Sequence, residues 1–301
     1  MNLNHLAAFH AVAEEGGVSR GAERLCVSQP AVSKQVRELE AALGLKLFDR
    51  LPRGVRLTQA GEVLAGHARR LFAVEADAER AIAELKGLSR GSLRVGASLT
   101  IGVYLMPEIL GAYRKLHPGI DLELEIANTQ MIQQKLRENA LDVALTEGFV
   151  ETCEPKSELD DLEAEIFHRD ELVAVVPPGH RLLKEKMVTA AQFCAEPFLM
   201  RETGSGTREI VERALAQVKV VVHPTMSLGS TEAIKRAVTA GLGVAIISRL
   251  ALSTELAAGL LQVVALSNLR IERPLHIVRL RGKSESHAAR AFFKLLPRGE
   301  P

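Results

Sequence analysis

The chain has 301 residues, with 38 Lys and Arg against 37 Asp and Glu, a formal net charge of +1, and a composition 47% hydrophobic and 25% charged. Those are the proportions of an ordinary globular chain, and the length calls for two domains, or three if one is small. No apolar run reaches the ~20 residues that a membrane span needs. The N-terminus MNLNHLAAFHAVAEEGG has no basic flank and carries acidic residues among its apolar positions. A secretory signal and a membrane partner are therefore not expected, and a cytoplasmic location is. Cys26, Cys153 and Cys194 are odd in number and far apart, which argues against a disulfide framework or a cysteine metal knuckle. Near-neutrality argues against nucleic acid only if the charge is evenly spread.

Through residue 87 the apolar period is helical nearly throughout. Leu6, Phe9, Val12 and Ala13 mark a first helix that Gly16 and Gly17 stop. Ser19 stands where it could cap a short second helix carrying Ala22 and Leu25. A third helix is predicted from Ser28, with Pro30 in its first turn and Gly44 closing it. Val32, Val36, Leu39 and Leu43 form its apolar stripe. Residues 47–57 read as a small hairpin around Pro52, Arg53 and Gly54. Thr58 is positioned to cap a fourth helix running to about residue 86, with Leu64, Leu71, Ala78 and Leu85 at heptad spacing and Val74 and Ile82 beside them. That helix either lies on its own domain or pairs with a second copy of itself. Residues 87–92 read as a Gly/Ser hinge.

From residue 93 onward short apolar runs alternate with helical ones. Strands are predicted at 93–97, 121–126, 142–146, 172–176, 197–200, 243–247 and 273–281, and helices at 103–116, 129–138, 207–217, 231–240 and 286–296. The expectation is an α/β fold with mostly parallel sheets, in two lobes that cross near 160–168, the last strand and helix returning to the first lobe.

The strongest chemical signal is the polar face of the third helix. Pro30, Ser33, Lys34 and Arg37 lie opposite the apolar stripe, with Ser28 and Gln29 at the leading end. Gln can bond adenine, Arg can fork onto guanine, and Ser or Lys can hold phosphates. Residues 19–57 carry eight basic and four acidic residues, a local +4. A solvated face would explain the charge alone; helix–turn–helix followed by a basic hairpin points to double-stranded DNA.

The runs SQPAVSKQVRELE, LGLKLFDR and VRLTQAG within residues 22–64 resemble the N-terminal domain of LysR-type bacterial transcriptional regulators. Length, helical linker and two-lobed remainder resemble the family more loosely. The resemblance implies a winged helix–turn–helix (1–58), a dimerising linker helix and hinge (59–91) and a periplasmic-binding-protein-like effector domain (92–301). Lobe I would be about 92–163 and 268–301, and lobe II about 164–267. Ser28, Gln29, Pro30, Ser33, Lys34 and Arg37 match the family's recognition surface, and Arg50 and Arg53 its wing. It further implies a homodimer extending to a tetramer, contact with RNA polymerase, and no catalytic or metal residues. Cys26, just after the second helix, is read as packing.

Open α/β sheets bind ligands beyond the carboxyl ends of their strands. Ser98 and Thr100, Thr129, Glu147, and the run Arg201–Thr207 stand at such ends if the predicted strands are right. Ordinary capping would explain part of these residues. The resemblance assigns Ser98, Thr100, Thr129, Thr203 and Ser205 as donors to an inducer between the lobes, with Arg201 as its anion partner. Glu147 would repel an anion unless it pairs with Arg201 or the ligand brings an amino group or proton. ASLTIGVYLMPEIL, IANTQMI and LDVALTEG resemble the sulfur-assimilation and carbon-fixation branch, which implies a small inorganic anion or a short carboxylate or phosphate metabolite and no cofactor.

Two other classes are weighed against this reading. An enzyme lacks support: GSGT has no phosphate-loop Lys, no H-E-x-x-H occurs, no predicted strand-to-helix turn carries G-x-S-x-G, and His168, His180 and His223 have no ligand spacing. A solute-binding protein would need export and would have no use for the helix–turn–helix.

Overall fold

The computed structural model describes residues 1–51, 54–84, 91–148, 162–283 and 285–297, and the chain divides into two units, Met1–Ile82 and Ala83–Pro301.

In the first unit α1 (Leu3–Glu15) ends at Gly16, whose φ of +64° suits glycine. α2 (Val18–Arg24) is capped by Gly17 and not, as expected, by Ser19. Cys26 sits in the turn that follows, at φ +55°, and is exposed; the expected packing role is wrong, because this turn holds its residue in the left-handed region with the side chain toward solvent. α3 (Gln29–Leu43) starts after Ser28, takes Pro30 in its first turn and stops at a left-handed Gly44. Val32, Val36 and Leu39 are buried against Leu6, Phe9 and Val12, whereas Leu43, expected in the same stripe, is exposed on the last turn. Burying a side chain such as Phe9 contributes about 1.5–3 kcal/mol.

β1 (Phe48–Arg50) and β2 (Val55–Leu57) form the predicted hairpin, antiparallel with Phe48 opposite Leu57. α4 (Gln59–Glu84) follows, and Thr58 Oγ1 accepts from the Gly61 amide at 3.1 Å. Its first half lies on its own domain. Ala65 and Ala68 are buried in the same core, His10 stacks on Phe72 at 5.3 Å, and Arg69 pairs with Glu14 at 3.1 Å. Further along, Val74 and Ile82 are 62% and 64% exposed. Leu85 and residues 87–90 of the expected hinge lie outside the described residues.

In the second unit the elements are β3 (Gly91–Ser98), α5 (Leu99–Tyr104), α6 (Met106–Leu116), β4 (Ile120–Ala127), α7 (Thr129–Arg137), β5 (Val143–Glu147), β6 (Leu162–Val176), α8 (Ala190–Cys194), β7 (Leu199–Arg201), α9 (Gly206–Gln217), β8 (Met226–Leu228), α10 (Thr231–Thr239), β9 (Ala245–Ser248), α11 (Ser253–Ala257), β10 (Gln262–Val264), β11 (Ile271–Leu280) and α12 (His287–Phe293). One sheet runs β10-β6-β11-β5-β3-β4 with β9 also on β6, and β7 pairs with β8 apart from it.

The expectation of mostly parallel pairing does not hold for the large sheet. β3 is parallel to β4 and β5, but β6 is antiparallel to β9, β10 and β11, and β11 to β5. The reason is that β6 and β11 each pass through both lobes and lie side by side in opposite directions. Leu162 and Phe167 of β6 pack in lobe I, while Leu172 and Val176 pack in lobe II with Phe193, Phe198 and Val244. In β11, Ile271 belongs to the lobe II core and Leu275 and Ile277 to lobe I with Val95, Ile101 and Phe292. At the crossing, Asp170 stands directly opposite Arg273. No helix among the described residues is long and apolar enough to cross a membrane.

Candidate functional site

Two surfaces gather the residues that the sequence singled out. On the first unit, Ser28, Gln29, Pro30, Lys34 and Arg37 are exposed and Ser33 is half-buried. The Arg37 guanidinium donates to Ser33 O at 3.1 Å, and Lys34 lies 3.7 Å from Glu38. Both are surface contacts that release the cations at little cost. Arg50 ends β1 opposite Val55, and Arg53 lies outside the described residues. Arg56, not among the expected wing contacts, is exposed on β2 and paired with Asp49 at 3.4 Å.

Helix and wing are joined by a residue the sequence reading passed over. Glu40 is buried on α3 and accepts from Lys46 Nζ at 2.7 Å and from the Leu47 amide at 2.9 Å. Burial pushes its carboxyl upward, but the Lys46 ammonium and the Leu47 and Phe48 amides outweigh burial and hold it below the usual carboxylate range. At the other end of the hairpin, Val55 N–H donates to Gly16 O at 3.3 Å. Gly54 has φ +85°, and a Cβ there would meet Gly16 O at 2.7 Å, so only glycine lets the hairpin tip approach the turn between α1 and α2.

The second surface is the junction of the two lobes. Ser98, Thr100, Thr129, Glu147 and Ser205 are all buried there. Ser98 precedes α5 but caps nothing, because its hydroxyl donates to the Glu147 carboxylate. Thr129 Oγ1 donates to Glu147 O at 2.8 Å. Ser205 precedes α9, whose first residue, Gly206, touches the end of β5: a Cβ there would stand 2.0 Å from Glu147 O and 2.7 Å from Thr129 Oγ1. Gln130 N–H also reaches across to Gly204 O at 3.3 Å.

The cation at this junction is not the one expected. Arg201 is buried on β7 and held by Glu202 at 2.7 and 2.8 Å, with Thr231 at 3.4 Å; Glu147 does not pair with it. Thr203 is exposed. In their place stands Arg273, at 0% exposure. Its Nε and Nη2 lie 2.8 and 2.7 Å from Asp170 Oδ2, its Nη1 donates to Thr207 at 2.8 Å and its Nη2 to Thr100 at 3.2 Å. Glu147 Oε1 is 3.8 Å from Nη1. One guanidinium thus ties hydroxyls of both lobes to the two crossing strands. No local signal marks the pair: Asp170 sits in the charged run HRDE and Arg273 beside Glu272, and only the strand register brings them together.

Across the lobe edge the Tyr104 hydroxyl of α5 donates to Glu232 of α10, and Lys235 lies 5.3 Å from the Tyr104 ring centre. Burial first, then the bond to Glu232, raise the Tyr104 phenol to about 12, so it remains a donor at neutral pH.

Comparison with known proteins places both units in one family. Residues 3–62 match the model of the bacterial regulatory helix-turn-helix protein, lysR family, and residues 86–299 match the LysR substrate binding domain. The chain is 36% identical to the RuBisCO operon transcriptional regulator of Allochromatium vinosum over 292 residues, 97% of this chain and 94% of that protein. Among solved structures it is similar to a full-length OxyR variant from Pseudomonas aeruginosa, with a TM-score of 0.72 at 25% identity over 98% of this chain and 97% of the other. It is also similar to the regulatory domain of CcmR from Synechocystis PCC6803 in complex with 2-PG, with a TM-score of 0.60 at 30% identity over 68% of this chain and 95% of that one. The chain is a DNA-binding transcriptional regulator, not an enzyme, and belongs to the LysR family.

Proposed function

We propose that this regulator is switched by a small anion, inorganic or a short carboxylate or phosphate metabolite, bound at the junction of the two lobes and without a resident cofactor. The observation that carries the reading is one buried guanidinium where both crossing strands pass, bonded by the Thr100 and Thr207 hydroxyls, with Ser98 and Thr129 bonded to the neighbouring Glu147 and Ser205 buried before α9. Hydroxyls, a guanidinium and helix starts are what an anion recognises. The CcmR regulatory domain in complex with 2-PG supports a phosphorylated carboxylate as the first compound to try. Arg273 replaces Arg201 as the anion partner, and Thr203 is retained only as a rim residue.

DNA is read by Ser28, Gln29, Pro30, Ser33, Lys34 and Arg37, with Arg50 and Arg53 of the wing on the adjacent groove or its phosphates. The domains are 1–58, 59–91 and 92–301, the last divided into lobe I (92–163 and 268–301) and lobe II (164–267). Exposed Val74 and Ile82 on α4 support pairing of two linker helices into a dimer. Dimers join into a tetramer that contacts RNA polymerase in the cytoplasm, and the ligand changes the spacing of the DNA-binding domains and the bend of the DNA.

The test is nuclease footprinting of the full-length protein on its own promoter region, with 2-phosphoglycolate, sulfate and phosphate in turn. One of these anions is expected to change the footprint and to raise the thermal midpoint of the protein, since a ligand stabilises the state that binds it. Gln29→Ala and Arg37→Ala are expected to abolish the footprint with the thermal midpoint unchanged. A footprint unmoved by any anion would refute the ligand class, and an undiminished footprint in both variants would refute the recognition surface.

A further inference from the structure

We infer that Glu147 is a built-in competitor for the effector's anionic group, contending for the same two donors, the Ser98 hydroxyl and the Arg273 guanidinium. The inference rests on the anion reading given above.

A guanidinium has five N–H groups. Those of Arg273 meet Asp170 twice through Oδ2, Thr207 and Thr100, all within 3.2 Å. The remaining direction, from Nη1, faces Glu147 Oε1 at 3.8 Å, beyond hydrogen-bond length. Glu147 is therefore the loosest of the partners, and its side chain is only 2% exposed. An acceptor oxygen placed between them would make a bond to Nη1 that Glu147 does not make.

Charge points the same way. Two carboxylates, Asp170 and Glu147, share this one buried guanidinium, and Asp170 Oδ1 has no hydrogen-bond partner. A buried charge is costly unless it is paired. Asp170 is held in place by its register opposite Arg273 on the neighbouring strand. Glu147 is the last residue of β5, and of the two carboxylates it is the one that stands farther from the guanidinium, at 3.8 Å against 2.7 Å.

The Ser98 hydroxyl completes the case. It stands at the start of α5 without capping it, donating to Glu147 and lying 3.3 Å from the Glu147 amide. A ligand carboxylate, phosphate or sulfate that took this hydroxyl and bonded Nη1 would displace the Glu147 carboxylate from Ser98 and take over its looser ion pair with the guanidinium. The residue then sets the concentration at which the regulator responds, by making every anion compete with an internal one. A cationic ligand would behave in the opposite way, because it would gain from Glu147 and Asp170 together.

The experiment is calorimetric titration of inorganic phosphate into the full-length protein and into Glu147→Gln and Glu147→Ala, each first shown to unfold cooperatively. Gln keeps the shape and removes the charge; Ala removes the side chain. Phosphate is expected to bind both variants at least about tenfold more tightly than the parent, equivalent to about 1.4 kcal/mol. Binding to parent and variants alike would overturn the competitor role and leave the anion reading standing. Absence of binding to all three would overturn both. Weaker binding to the variants would show Glu147 to be a ligand contact, as for a ligand bearing a proton or an amine, and would likewise overturn the inference. If one variant fails to fold, the other decides.

Discussion

Gly206→Ala tests whether the two lobes must close on each other for the effector to act. Gly206 begins α9 in lobe II, and the added methyl would sit 2.0 Å from Glu147 O and 2.7 Å from Thr129 Oγ1 in lobe I, where ordinary contact begins at 3.4 Å. The carbonyl belongs to the last residue of β5, which is hydrogen-bonded into the sheet opposite Leu275, so it cannot swing aside like the end of a flexible side chain. The lobes must separate there by roughly 1.4 Å, the difference between 3.4 and 2.0 Å. Overpacking of this kind costs about 1–3 kcal/mol, and at 1.4 kcal/mol per tenfold that is a factor of about 5–150 against the closed arrangement. Measured as the anion concentration that half-changes the promoter footprint, the midpoint is expected to rise by about that factor. Operator affinity without added anion should stay within twofold or so, because α3 belongs to the other unit. A footprint midpoint equal to that of the parent, in a protein that folds normally, would refute the reasoning.

The other predictions concern separate contacts. Glu40→Gln removes a carboxylate held below its ordinary range; such a group stabilises the fold above the unfolded pKa, and the contribution is lost as pH falls through the folded one. Thermal midpoints of the variant are therefore expected to lie below those of the parent at pH 7, by the equivalent of about 1–3 kcal/mol, and to converge with them below pH 4.5, the ordinary carboxyl value; parallel curves down to pH 2 would remove the Lys46 and Leu47 bonds as the cause. Tyr104→Phe deletes the cross-lobe bond to Glu232 and should shift the footprint midpoint by about fivefold, the effect of about 1 kcal/mol; no shift would mean that the bond is not made in solution. Val74→Asp with Ile82→Asp places charge on side chains 62% and 64% exposed and should lower the sedimentation-measured mass toward a monomer without lowering the thermal midpoint of the DNA-binding unit. An unchanged mass would assign dimerisation to another surface.

The DNA-binding unit was largely legible because its signals are local. Ser28, Pro30 and Gly44 bracket α3 within one or two residues of the observed bounds, and Val32, Val36 and Leu39 repeat at the helical period. Leu43 misled because periodicity continues to the end of a helix, whereas packing stops where the neighbouring helices do. In the second unit the apolar run predicts β6 only from residue 172, yet the strand runs from Leu162. Its first half, LEAEIFHRDE, alternates acidic residues with apolar ones, so a local window sees no apolar run; its strand form comes from pairing with β11, more than a hundred residues away. The same distance hid Arg273. A single Arg in IERPLHIV reads as a solvated strand face, and only register brings it to Asp170. Arg201 adjoins a Gly/Ser/Thr run and so reads as an anion partner, but its neighbour Glu202 neutralises it locally. β8 and β10, at three residues each, are too short to leave a period.

Glu40 has a consequence for where the regulatory signal must act. Its carboxylate fastens α3 to Lys46 and Leu47 at the entry to the hairpin, while Val55 fastens the far side of the hairpin to Gly16, where Gly54 makes a close approach. Among the described residues, helix and hairpin are thereby tied together on both sides of the hairpin. Under the function proposed above, a metabolite would then act by re-aiming whole DNA-binding domains relative to each other, and substitutions that alter base preference should fall in a different part of the chain from those that alter inducibility.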